Sequence, residues 1–145
     1  MVYQTDTPLG NVINHFGCYF CSILYFIEKF VGIQMTDDSV LQIYNSCVAN
    51  GIIGNECFIN DSDKLMNFVA PGFAVSKGKQ DPTYQLQQNE FEVLCMYNPK
   101  TDFTHFIAGD GNGNVEFDPI QGGSRTAREG YVKSLRIFSI SKWEA

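Results

Sequence analysis

The sequence predicts an α+β domain in which helices come first and an antiparallel sheet follows. Helical apolar patterns fill the chain up to Pro71, a period-two alternation follows, and single Gly and Pro residues separate the patterned segments. Helices followed by a run of strands are typical of α+β architecture. The 145 residues with 44% apolar content suit one compact core. We therefore expect a single domain over residues 1–145.

Three helices are predicted. Residues 18–31 are apolar on nearly every side, which indicates a helix buried all round, and Gly32 provides its stop. Thr36 is a good N-cap, followed by two Asp residues that suit the first turn of a helix. The second helix therefore spans about 36–50 with Gly51 as its stop, and a shorter third one begins at Asn60 or Asp61 and ends before Pro71.

Five segments have the alternation of strands in an antiparallel sheet: 73–77, 90–97, 104–109, 114–118 and 134–141. The Gly122-Gly123 pair and its polar neighbours predict a loop between the last two strands, with room for a short helical turn.

Charge and apolar content exclude several classes of partner. The net charge is −6, and Lys and Arg form no patch, which argues against duplex nucleic acid, phosphate-rich partners and anionic membranes. No basic residue precedes Lys29, as a secretory signal would require, and no apolar stretch reaches the roughly 20 residues of a membrane span. We expect a cytoplasmic protein. The five cysteines, an odd number, then predict free thiols.

Cys18 is the candidate nucleophile. It follows Gly17 and opens the buried helix, where unpaired backbone N–H groups and the positive end of the helix dipole favour a thiolate. The alternative is a small apolar residue at a helix start. Cys47 and Cys95 lie on apolar stripes and are interpreted as core residues.

His105 and Asp118 are the candidate partners of Cys18. The sequence 110–114, Asp-Gly-Asn-Gly-Asn, predicts a hairpin between two strands. A two-residue turn at Gly111-Asn112 places His105 opposite Asp118, and one at Asn112-Gly113 places Asp118 opposite Ile107, on the same face as His105. A three-residue loop would destroy this arrangement. Both two-residue registers allow an imidazole–carboxylate hydrogen bond.

Such a pair supplies a base for the thiol proton and a group that orients the base. Two alternatives stay open: a strand histidine that only packs, and an Asp118-Pro119 pair that only ends a strand.

The order of these motifs resembles the papain-like cysteine peptidase clan. Gly17-Cys18 heads a long apolar helix, and it is followed by Thr-His-Phe-Ile at 104–107 and Val-Glu-Phe-Asp-Pro at 115–119. The closest likeness is to stand-alone relatives of the bacteriocin-processing, double-glycine-leader peptidases. The Gly-Cys-Tyr-Phe start, with Cys-Phe-Ile at 57–59, also resembles a small family of bacteriophage and bacterial genomes whose function is unknown.

The resemblance implies a papain-like fold and three roles: Cys18 as nucleophile, His105 as general base and then acid, and Asp118 as the orienting residue. Papain-like enzymes also carry an oxyanion-hole Gln shortly before the Cys, and Val12 stands at that place here. Asn14 is the preferred replacement. Asn11 is an alternative, as is Gln4 if the N-terminal segment folds back.

Three other readings compete. Cys18 and Cys21 form a C-x-x-C at a helix start, as in dithiol redox proteins, but the hydrophobic strand that should precede it is missing. A zinc site from Cys18, Cys21, His15 and Cys57 lacks the second closely spaced ligand pair. His15 is a rival base, but no acidic residue near it in sequence would orient it. We expect neither a cofactor nor a metal.

The favoured prediction is a thiol-dependent hydrolase or acyltransferase acting on a peptide, isopeptide or amide bond of a peptide or protein substrate. The alternative is a papain-like scaffold without activity that binds a partner, for example a phage protein acting on a host factor.

Overall fold

Helices occupy the N-terminal half of the chain and strands dominate the C-terminal half. The computed structural model describes residues 1–141 and confirms the α+β class, with N-terminal helices packed on a five-stranded antiparallel sheet. The helices are α1 Gly10–Phe16, α2 Cys18–Val31, α3 Asp37–Ala49, α4 Ser62–Val69 and α5 Arg125–Glu129. The strands are β1 Ala74–Gln80, β2 Glu90–Asn98, β3 Phe103–Gly109, β4 Val115–Phe117 and β5 Tyr131–Ile140, and short 3-10 turns occupy Thr7–Leu9 and Asn55–Cys57.

The predicted helix boundaries follow local signals that the structure confirms. α2 ends at Gly32, which has a left-handed backbone with φ of 85°. Thr36 caps α3: its hydroxyl accepts a hydrogen bond from the Ser39 N–H, and the Ser39 hydroxyl accepts one from the Thr36 N–H. The Asp61 carboxylate caps α4 by accepting from the Lys64 N–H.

One helix was not predicted. α1 lies in the segment that the sequence suggested was only an approach to α2, because its few apolar residues form no long stripe. Only Ile13 of this helix is buried. Gly17 joins α1 directly to α2, so the two helices follow one another without a loop.

The strands form one sheet in the order β1-β5-β2-β3-β4, with every neighbouring pair antiparallel. β5 begins at Tyr131, three residues before the predicted start at Ser134, and the preceding loop contains α5. α2 packs against the sheet through aromatic rings. The ring centroid of Phe26 on α2 lies 4.4 Å from that of Phe91 on β2, and the Phe91 centroid lies 5.2 Å from that of Phe138 on β5. This aromatic core fixes the helix on the sheet.

α2 is also the most apolar helix of the fold. It has 14 residues, against the roughly 20 that cross a bilayer. Within residues 1–141, no helix combines the length and apolar character that a membrane crossing requires.

Candidate active site

Cys18 is the first residue of α2 and is half-buried, whereas the other four cysteines are buried; all five are free thiols. Its position depends on Gly17. The Gly17 N–H donates to the Ile13 carbonyl at 2.8 Å, and a Cβ on Gly17 would lie 2.5 Å from that same oxygen. Only glycine fits between the two helices, so the sequence Gly-Cys lets α1 end where α2 begins.

The β3–β4 hairpin differs from both predicted turns. The Asp110 N–H bonds the Asn114 carbonyl, so the loop holds the three residues Gly111, Asn112 and Gly113. A three-residue loop should have destroyed the arrangement, but a β-bulge compensates for it, because Ala108 pairs with Phe117 while Gly109 pairs with Val115. Glu116 is the extra residue of the bulge. Beyond it the register equals that of the second predicted turn, and Asp118 follows the end of β4.

His105 and Asp118 form the predicted pair. His105 Nε2 lies 2.8 Å from Asp118 Oδ1, and the two side chains are 2% and 8% exposed. Because Nε2 is used by the carboxylate, Nδ1 is the ring nitrogen left for the Cys18 thiol, which lies close enough to contribute to the raised pKa of the imidazole. The structure therefore brings Cys18, His105 and Asp118 together.

The Asp118 carboxylate is held by several donors. Oδ1 accepts from His105 and from the Ile120 N–H at 3.0 Å, and Oδ2 accepts from the N–H and the hydroxyl of Ser124, each at 2.8 Å. Burial raises the pKa of Asp118, but the bonds from His105 and from the backbone outweigh it and lower the pKa to about 2. Asp118 is therefore ionised throughout the physiological range.

The protonation of His105 follows from its two partners. Burial lowers the pKa of His105, but the hydrogen bonds to Asp118 and Cys18 outweigh burial and raise the pKa from 6.5 to about 9. The imidazolium is thus the stable form near neutral pH.

Where β4 ends, the N-terminal part of α2 contacts β3. β4 pairs with β3 only at Ala108 and Gly109. Two residues before Ala108 on β3, the Phe106 N–H donates to Cys18 Sγ at 3.5 Å, and the Phe106 carbonyl accepts from the Ser22 hydroxyl at 3.4 Å. The short β4 therefore leaves room for Cys18 beside β3.

The N-terminal segment folds back to the site. The Gln4 N–H bonds the Pro119 carbonyl at 2.9 Å, directly after Asp118, and Gln4 is 2% exposed. Its amide nitrogen donates one N–H to the Asn14 carbonyl at 3.2 Å. The second N–H has no acceptor within residues 1–141.

Asn14 has a different part in this arrangement from the expected one. Its amide nitrogen donates to the Gln4 carbonyl at 2.6 Å and to the Asp6 carbonyl at 3.0 Å. Both of its N–H groups are therefore used within the protein, and none is left for a substrate oxygen. Asn14 holds the N-terminal segment in place, and Gln4 is the amide with a donor to spare. Asn11 is exposed on α1.

Cys18, His105, Gln4 and Asn14 all line one cavity of about 900 Å³. Three exposed aromatic side chains, Phe16, Phe58 and Phe103, also line it and are 46%, 68% and 52% exposed. A further wall is the turn at Glu56 and Cys57, whose φ angles of 55° and 56° are uncommon for residues with side chains. Large exposed rings that line a cavity suit an apolar ligand.

The residues of the competing readings lie in unfavourable surroundings. Cys21 is fully buried, and burial raises its pKa well above the ordinary value, which disfavours the thiolate that dithiol exchange needs. His15 is exposed on α1, where Nδ1 lies 2.8 Å from the Asn11 carbonyl. In the part of the chain that the structure describes, no three His, Cys, Asp or Glu residues lie close enough to hold a metal ion.

Two serines of the site, Ser124 and Ser22, are not predicted from the sequence. The sequence predicts only a loop at Ser124, yet this residue donates to Asp118 and caps α5 by accepting from the Ala127 N–H. The signal was a serine after Gly122-Gly123 and before a short helical pattern. Ser22 lies one turn after Cys18 on the same side of α2, and its spacing of four was the available sign.

Comparison with known proteins adds a family but no activity. No curated protein and no solved structure matches this chain. One family model matches residues 1–140, in agreement with the resemblance to a small family of unknown function, while the resemblance to the peptidase clan gains no support from it. The chain belongs to the family described as protein of unknown function, DUF261.

Proposed function

We propose that this protein is a cysteine hydrolase with a papain-like fold that cleaves a peptide, isopeptide or amide bond. The observation that carries the proposal is the placement of His105 between Asp118, 2.8 Å from Nε2, and Cys18 at the head of a buried helix. A half-buried thiol, an imidazole and an ionised carboxylate in this order are the components of a thiol triad.

The papain-like assignment has support from the architecture. A helix headed by the nucleophile packs on an antiparallel sheet, and adjacent strands of that sheet carry the base and lead to the orienting carboxylate. The order Cys, His, Asp along the chain agrees with the resemblance.

The chemistry proceeds through a thioester. The Cys18 thiolate attacks the carbonyl carbon and forms a C–S bond, while the negative charge moves to the carbonyl oxygen. The His105 imidazolium donates its proton to the leaving nitrogen as the C–N bond breaks. Water then attacks the thioester carbon while His105 accepts a proton from the water. The C–S bond breaks, the carboxylic acid leaves, and the Cys18 thiolate and His105 imidazolium are restored.

The oxyanion is stabilised by two donors in this proposal. One is the backbone N–H of Cys18 in the first turn of α2, where helix N–H groups lack intrahelical partners. The other is the unpaired amide N–H of Gln4, which is buried and lines the same cavity. One such donor typically lowers the barrier by about 3 to 4 kcal/mol.

Alkylation of the folded protein by iodoacetamide across a pH series tests the proposal. Cys18 should react well below pH 8, because its partner imidazolium favours the thiolate. His105→Ala should slow the reaction of Cys18 at pH 6 by about a hundredfold, since an ordinary thiol is almost fully protonated there. Mass spectrometry of proteolytic fragments identifies the modified cysteine.

His15→Ala is the matched control, because it removes the other histidine of the chain, which also lines the cavity but bonds within α1. It should leave the rate unchanged. Slow and equal labelling of all five thiols, or a rate that does not depend on His105, would overturn the proposal and leave a binding scaffold as the alternative.

A further inference from the structure

Two cations face the cavity that contains Cys18. Lys79 on β1 and Arg136 on β5 are directly paired across the two strands, so their side chains share one face of the sheet. Both line the cavity. Like charges at directly opposed positions destabilise a sheet, and this chain has a net charge of −6 with few basic residues to place. An anion bound between or beside Lys79 and Arg136 would offset this repulsion.

The protein itself supplies no such anion within residues 1–141. Neither Lys79 nor Arg136 forms an ion pair there, whereas Lys77 on the same strand pairs with Glu90 at 2.6 Å. Arg136 is half-buried and donates through Nη1 to the Ser134 hydroxyl at 2.9 Å and to the Leu135 carbonyl at 3.5 Å. Its other guanidinium N–H groups have no acceptor among the described residues.

The acidic residues that line the cavity do not pair with the two cations. Asp61 caps α4, and Asp63 accepts the Ser76 N–H of β1 at 2.6 Å. Glu56 lies in the turn before Cys57 and is exposed. These carboxylates line the same cavity, but none of them forms an ion pair with either cation.

A single residue connects the cations to the nucleophile. The backbone N–H of Phe106 bonds Cys18 Sγ at 3.5 Å, and the guanidinium carbon of Arg136 lies 5.5 Å from the centre of the Phe106 ring. This cation–π contact holds the guanidinium beside the cavity. These two contacts through Phe106 limit the separation of Arg136 and the Cys18 sulfur. An extended substrate chain, which advances roughly 3.3 Å per residue, would cover that separation with about four residues.

We propose that Arg136 and Lys79 form a carboxylate-binding subsite, and that the substrate cleaved at Cys18 carries a carboxylate within about four residues of the scissile bond. The inference about the substrate rests on the proposed hydrolase function. The guanidinium edge matches a carboxylate with two parallel hydrogen bonds, and the ammonium of Lys79 adds a second charge. An acidic side chain and a free C-terminus both present this group.

Three isosteric probes test the subsite and separate the two sources. Acetyl-glutamate amide has only a side-chain carboxylate, acetyl-glutamine has only a terminal one, and acetyl-glutamine amide is neutral. Each is titrated into the Cys18→Ala protein, and the shifts of the backbone amides of Lys79 and Arg136 in NMR spectra give the dissociation constants. At least one charged probe should bind about tenfold more tightly than the neutral probe.

Variants test the assignment to the two residues. Arg136→Gln and Lys79→Gln, each in the Cys18→Ala protein, should abolish the preference and keep polar side chains of similar length. Lys133→Gln is the matched control, because this lysine is also on β5 but lies over the Tyr97 ring, outside the cavity. It should retain the preference.

Equal dissociation constants for all three probes, or a preference that survives Arg136→Gln and Lys79→Gln together, would overturn the subsite. Preference for the amide of glutamate supports recognition of an acidic side chain, and preference for acetyl-glutamine supports recognition of a chain end. The titration uses a protein without the Cys18 thiol, so its result does not depend on the chemistry of Cys18. A negative titration would therefore count against the subsite, and a negative alkylation experiment would count against the hydrolase proposal.

Discussion

Asp118 is the residue that determines the protonation of His105. Four donors bond its two oxygens, and these bonds outweigh burial and keep the pKa of Asp118 at about 2. The negative charge is therefore fixed by the loop from Asp118 to Ser124. The imidazolium of His105 depends on that charge more than on its own burial, which acts in the opposite direction.

Asp118→Asn should lower the pKa of His105 from about 9 by about one to three units, because the neutral amide no longer favours the imidazolium. The titration of the histidine ring signals by NMR measures this change. His15 is the other histidine of the chain and serves as an internal control that should not move. An unchanged titration of His105 would show that Asp118 is not its electrostatic partner.

A carboxylate from β2 holds the β3–β4 hairpin in place. Glu92 Oε2 accepts from the Gly111 N–H at 2.8 Å and from the Gly113 N–H at 3.0 Å. Gly109 allows the approach, because a Cβ there would lie 2.6 Å from the Glu92 side chain. Burial raises the pKa of Glu92 and outweighs the two N–H bonds, which lower it. The charge of Glu92 therefore disfavours the fold, while its hydrogen bonds favour it.

Glu92→Gln and Glu92→Ala separate these two effects. Because the folded-state pKa is raised, the contribution of Glu92 is most favourable below its unfolded pKa and declines as the pH rises through the folded value. Glu92→Gln keeps an acceptor without the charge and should be at least as stable as the parent protein at pH 7. Glu92→Ala leaves two N–H groups unpaired and should lose about 1 to 3 kcal/mol of unfolding free energy.

Urea unfolding at pH 7 measures both variants. Equal stability of Glu92→Gln and Glu92→Ala would contradict the role of the two hydrogen bonds in holding the hairpin.

The elements differ in how far the sequence could predict them. α2 and α3 begin and end at local signals, a glycine with a left-handed backbone and a capping threonine, which the sequence displays directly. The hairpin offered a strong turn signal, but the loop length and the bulge at Glu116 depend on Glu92 and on contacts of Glu116 with Tyr25 and Lys29 on α2. Those partners are distant in sequence.

At the scale of the whole molecule, the buried pair defines a window of stability in pH. The pKa of Asp118 is lowered from 3.8 to about 2, so its contribution is complete above the unfolded value and is lost as the pH falls through about 2. The pKa of His105 is raised from 6.5 to about 9, so its contribution is complete below 6.5 and is lost as the pH rises through about 9. Both contributions are complete between about pH 4 and pH 6.5.

The stability of the parent protein relative to His105→Gln should therefore be greatest in that window and should decrease towards pH 9. Denaturant unfolding of both proteins at matched pH values gives the difference, in which the titration of other groups largely cancels. A difference that is constant from pH 5 to pH 10 would contradict the raised pKa of His105.

The sequence predicts three residues of the candidate site but does not favour the amide beside them. Cys18, His105 and Asp118 are identified by residue type and by their places at a helix start and on a hairpin, and the structure brings them together. The sequence favours Asn14 as the oxyanion donor because Asn14 is close to Cys18 along the chain. Gln4 takes that place in the proposal because the N-terminal segment docks on Pro119, a contact between residues more than a hundred positions apart.

The bond from the Phe106 amide to the Cys18 sulfur provides a spectroscopic reporter within the native chain. A thiolate is a stronger hydrogen-bond acceptor than a thiol, so this amide proton should shift downfield as the sulfur ionises and return when it is alkylated. The neighbouring amide in the strand, Ile107, lacks this contact with sulfur and gives the baseline. A single backbone resonance can thus follow the charge of the Cys18 sulfur without a substrate.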